Sequence, residues 1–176
     1  VLLGLLGTLG IYEYSTARLF KITFAAMVGF AAGNFLGTAV FFDLLRLEYQ
    51  IGAPLGLGLW GLIGGAALEV SSWNLKRVLV NGMLCAIGLV IGYFSGLFLL
   101  DRYINLPYLL WGLGVGIALS LSTRRISVIT FVAILGSALF IMTAGSISGI
   151  NTGTLWGNAL RGAWIGLVLG FGYAYA

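Results

Sequence analysis

Polar side chains stranded in apolar sequence are the first places to look for chemistry, and this chain of 176 residues has few of them. Asn34, Asn81, Asn158 and Arg161 are embedded in apolar stretches, while Glu13 and Glu69 stand shortly before basic residues. In hydrocarbon an amide must find its partners on a neighbouring helix, so each asparagine is expected to fix packing through interhelical hydrogen bonds. The competing reading is that the amides line a path for a polar solute. Arg161 lies close enough to the end of its stretch to snorkel; pairing with Asp43 or Asp101, or drawing an anion into a cavity, are its other options. Glu13 and Glu69 are placed to neutralise Arg18 or Lys76 and Arg77, with proton or cation handling as the alternative.

The inventory excludes most catalytic chemistry. Histidine, the commonest catalytic base and metal ligand, is absent. Asp, Glu and the lone Cys85 never cluster at metal-ligand spacing, so neither a metal nor any other cofactor is expected, and no Gly-x-Ser-x-Gly or His-Glu-x-x-His signature marks an enzyme. Gly56-Leu57-Gly58 lacks the strand and acidic partner of a nucleotide site. Cys85 sits in an apolar run, where it reads as a small packing residue. The net charge of +4 is divided among separated basic groups and forms no continuous patch, so nucleic acid is not an expected partner.

The solvent of these residues is lipid. The chain is 60% hydrophobic and 8% charged, with a mean hydropathy of +1.08; a soluble domain carries about a quarter charged residues. Residues 22–42, 49–68, 78–100, 103–123 and 126–160 contain no Asp, Glu, Lys or Arg, and roughly 20 apolar residues cross a bilayer. Five such runs, the last long enough for two crossings, predict six spans. Unbroken apolar runs without two-residue alternation select helices over a barrel.

A repeat organises the spans. Arg18 is followed by Ile22-Thr23-Phe24 and, eleven residues on, by Gly29; Arg77 stands equally far before Gly88, and Arg125 before Gly136 by way of Ile129-Thr130-Phe131. Trp60-Gly61 with Gly65 is echoed by Trp111-Gly112 with Gly116, and more loosely by Trp156-Gly157, where Arg161 replaces the second glycine. The expected fold is an all-α polytopic bundle of three tandem helix hairpins, at residues 17–72, 73–123 and 124–176, preceded by a partial helix in 1–16. Because Gly172-Tyr173-Ala174-Tyr175 resembles Gly10-Ile11-Tyr12-Glu13-Tyr14, the chain is expected to be a segment of a longer array.

Glycine supplies the packing device. There are 28, about twice the usual share, and many recur every four residues: Gly29, Gly33, Gly37; Gly61, Gly65; Gly88, Gly92, Gly96; Gly112, Gly116; Gly162, Gly166, Gly170. That spacing puts bare backbone on one helix face, as in a glycine zipper, and lets a second helix approach closely. Such faces could hold one bundle together, or form a subunit interface or a pore lining.

Loop charge sets an expected orientation. Arg18, Lys21, Lys76, Arg77, Arg124 and Arg125 fall at one end, against Arg46 and Arg102 at the other, which places the first end in the cytoplasm. Tyr49, Tyr103, Tyr108, Trp60 and Trp111 are expected at the opposite interface. The function these features imply is that of a noncatalytic integral membrane module, an anchor, scaffold or complex subunit that assembles with itself or with other membrane chains. The alternative is a channel or carrier for a small solute lined by the hairpins.

Overall fold

A computed structural model describes residues 16–69, 74–97, 106–123 and 154–175. Glu13, the expected partial helix, Asp101, Arg102 and the Arg124-Arg125 pair lie outside the described residues, as does the first part of the third expected hairpin. The described residues form five helices and no strand. These are α1 (Thr16–Thr38, continued by a π-helical turn Ala39–Leu44), α2 (Tyr49–Leu68), α3 (Leu75–Leu97), α4 (Leu106–Thr123) and α5 (Leu155–Tyr175). Three stretches, Ala17–Leu44, Tyr49–Leu68 and Leu75–Ser95, are long and apolar enough to cross a membrane.

The ends of these helices follow from local chemistry. Asn74 caps α3, its side-chain oxygen accepting the Arg77 N–H at 3.2 Å, and Thr154 does the same for α5 through the Gly157 N–H at 3.0 Å; both satisfy donors that a helix start leaves orphaned. Pro107 occupies the second position of α4, where no intrahelical N–H bond is lost. Pro54 removes one bond from the second turn of α2. Between α1 and α2 the chain reverses at Arg46, whose φ of 50° is the left-handed conformation usually given to glycine. The Leu47 N–H returns to the Phe41 carbonyl at 2.9 Å and the Leu45 N–H to Val40 at 2.9 Å. This is a glycine-type helix stop made one residue wider by the π turn.

In space the helices form a row, α4–α3–α2–α1–α5, each touching the next. α5 is the last of these helices in the chain and α1 the first. α5 lies antiparallel on α1: Gly162, Gly166 and Gly170 meet Phe30-Ala31, Ala26-Met27 and Ile22-Thr23, so numbers rise along α5 as they fall along α1. α1 and α2 are antiparallel by the same test, with Gly29, Gly33 and Gly37 against Gly64, Trp60 and Gly56. Trp60 is 1% exposed and meets Phe30 edge-on, ring centroids 6.5 Å apart. Expected at an interface, it is buried in the joint between α1 and α2, its ring against Phe30 and its backbone against Gly33. Leu57, Leu68, Leu89, Val115, Leu119 and Leu169 complete the buried interior.

Candidate functional site

Several glycines stand where a side chain would collide with the neighbouring helix. A Cβ placed on Gly33 would stand 2.8 Å from the Trp60 carbonyl oxygen, and one on Gly37 2.7 Å from that of Gly56. On the other side of α2, a Cβ at Gly61 would meet the Ala86 backbone at 2.5 Å. Between α3 and α4, Gly88 faces Gly114, with 2.7 Å to its carbonyl oxygen, and Val115. In each case the obstructing atoms are backbone, which cannot rotate away. Gly92 and Gly116 are buried within α3 and α4, which also carry Gly96 and Gly112. Gly56, Gly64, Gly82 and Gly114 belong to the same joints although the four-residue pattern did not select them.

Two of these joints are copies of one another. Gly61 of α2 meets Cys85 and Ala86 of α3, and Gly65 meets Asn81 and Cys85; Gly166 of α5 meets Ala26 and Met27 of α1, and Gly170 meets Ile22, Thr23 and Ala26. Aligning Arg18 with Arg77 superimposes Ile22 on Asn81, Ala26 on Cys85 and Met27 on Ala86. The two contacts then share one register. In this contact Gly166-Leu167 and Gly170 occupy the places that Gly61-Leu62 and Gly65 hold in the other. Gly112-Leu113 and Gly116 carry the same spacing in α4.

Polar residues join the helices at two levels. Asn34 of α1 donates to the Asn158 carbonyl of α5 at 2.7 Å, the Asn158 amide donates to the Thr38 hydroxyl at 3.2 Å, and that hydroxyl donates to the Asn34 carbonyl at 2.9 Å. Asn34 and Asn158, far apart in sequence, thus belong to one ring of hydrogen bonds beside the π turn. Arg161 follows on the second turn of α5, half-buried.

The second cluster lies where α2 and α5 end. Asn81 of α3, fully buried, donates to Glu69 Oε1 at 3.0 Å and to the Tyr173 hydroxyl at 2.7 Å; the Tyr173 hydroxyl in turn donates to Glu69 Oε1. Three helices are tied through one carboxyl oxygen. Glu69, 5% exposed, faces the interior of the bundle, whereas Lys76 and Arg77 are exposed. Asn81 Oδ1 and Thr23 Oγ1 are buried oxygens with no hydrogen-bond partner among the described residues.

Tyr173 is the member that sequence reasoning missed. Its signal was faint: a tyrosine in the last turn of an apolar helix reads equally well as an interfacial anchor. Among the described residues no group of three His, Cys, Asp or Glu could hold a metal ion. Both clusters are hydrogen-bond networks that run between helices, and bonds of this kind oppose the sliding and rotation that apolar surface alone permits. Comparison with protein-family models, with curated proteins and with solved structures returns no match to this chain.

Proposed function

We propose that this chain is a noncatalytic integral membrane module of three tandem helix hairpins and six spans, held together through glycine faces, with its Arg18 and Lys76-Arg77 end in the cytoplasm. The observation that carries the reading is the duplicated joint. The second helix of the first hairpin meets α3, and the second helix of the third meets α1, through equivalent small residues in one register. A head-to-tail contact used twice is how repeated units assemble, and such contacts close a ring when the rotation permits. In lipid, apolar surface gives no drive to associate, so close backbone contact supplies the cohesion. That is what an anchor, scaffold or complex subunit requires.

Mass measurement of the purified protein in nanodiscs tests this reading: bound copies or partner chains are expected, and a strictly monomeric, partner-free particle contradicts it. A second reading, a channel or carrier for a small neutral solute, draws support from the two unpartnered buried oxygens, Thr23 Oγ1 and Asn81 Oδ1. Liposome flux separates the two. The module reading predicts permeability to ions and small solutes equal to that of empty vesicles.

A further inference from the structure

α1 and α3 run parallel, because each is antiparallel to α2, so their first turns emerge at the same end. There Arg18 and Lys21 of α1 and Lys76 and Arg77 of α3 are all exposed. The only carboxyl at that end among the described residues is Glu69, which is buried. At the opposite end Arg46 has exposed Asp43 and Glu48 close by in sequence. The two helix N-termini add positive potential to the basic end.

Below each basic pair runs an exposed apolar stripe. On α1 it is Phe20, Phe24 and Val28, at 70%, 51% and 50% exposure, with the two phenyl rings stacked 5.8 Å apart. On α3 it is Val80, Met83, Ile87 and Ile91. At 1.5 Å per residue, Lys76 to Ile87 covers about 16 Å, close to the acyl depth of one leaflet. Cations at the head of an exposed apolar stripe match one ligand: a molecule with a phosphate head and a hydrocarbon tail.

We infer that the basic end carries two binding sites for anionic phospholipid. One places the lipid phosphate at Arg18 and Lys21 with an acyl chain along Phe20, Phe24 and Val28. The other uses Lys76 and Arg77 above Val80, Met83 and Ile87. The inference rests on the membrane-spanning reading and on nothing about transport.

The test is native mass spectrometry of the full chain released from nanodiscs of mixed phosphatidylglycerol and phosphatidylcholine. Retention of two phosphatidylglycerols, favoured about tenfold or more over phosphatidylcholine and weakened by salt, is the expected result. Arg18→Gln with Lys21→Gln should remove one adduct, Lys76→Gln with Arg77→Gln the other, and Arg46→Gln neither. Equal retention of the two lipids by the unmodified protein overturns the inference, as does equal competition by soluble glycerol phosphate, which would indicate a bare phosphate site. A protein that partitions into water without detergent would instead defeat the membrane reading itself.

Discussion

Asn81 sits at the meeting point of two arguments. Its amide spends both hydrogens on Glu69 and Tyr173, so it holds the C-terminal turn of α5 against α2 and α3. A net hydrogen bond contributes about 1 kcal/mol, and a buried group stripped of its partner costs about 1–3 kcal/mol. Tyr173→Phe is therefore expected to lower thermal stability in detergent by about 1–2 kcal/mol without abolishing the fold; an unchanged melting curve would show that the cluster does not hold α5. Arg46 tests the backbone instead of a side chain. With φ at 50°, a non-glycine residue is strained by about 1–2 kcal/mol, part of which glycine would return as unfolded-state entropy. Arg46→Gly should melt at the same temperature or slightly higher, and Arg46→Val clearly lower.

At the scale of the helix, the proposed glycine packing makes stability depend on how near two backbones can come. Leucine at Gly33 would drive a side chain into the Trp60 backbone, and such overpacking costs about 1–3 kcal/mol or more where neighbours cannot move. Asn34→Leu removes one bond to the Asn158 carbonyl, and interhelical hydrogen bonds in membranes average about 0.6 kcal/mol. Gly33→Leu or Gly92→Leu should therefore disrupt assembly more than Asn34→Leu, as read by size-exclusion profile and melting temperature. The reverse order would mean that polar bonds, not close approach, govern the joints. Gly166→Leu extends the comparison to the α5 joint, where the added bulk meets the Met27 backbone at 2.7 Å already at its Cβ.

For the whole molecule, the informative feature is that the last helix returns to the first. Phe35 and Trp156 bring their rings within 5.9 Å at one end of the α1–α5 contact. In a Cys85→Ala background, Phe35→Cys with Trp156→Cys should be joined by a short bifunctional thiol reagent within a single chain, giving a product of monomer mass. A product only of dimer mass would relocate this contact to a subunit interface. With α5 in place, the α1 face that matches the α2-binding face of α3 is already filled, so further hairpins cannot add to the row there.

The apolar runs by themselves determined that the chain is helical and that it holds helices long and apolar enough to cross a membrane, because a bilayer imposes a length of apolar chain and forbids unpaired backbone. Arg18 and Arg77, each eleven residues before a glycine, also head the two helices whose small-residue contacts share one register. Several things required the tertiary structure. Asn34 and Asn158 share a hydrogen-bond ring, as do Glu69, Asn81 and Tyr173, only because α5 crosses back to α1, and no local pattern encodes which distant helix a face will meet. The burial of Trp60 was hidden for a related reason: an indole suits a wet interface and a helix joint equally well, and only the helix opposite, with Phe30 on it, shows that this one is covered. Which glycines of α5 make its contact was likewise hidden, because several glycine registers along α5 look alike until one of them is laid against Ala26.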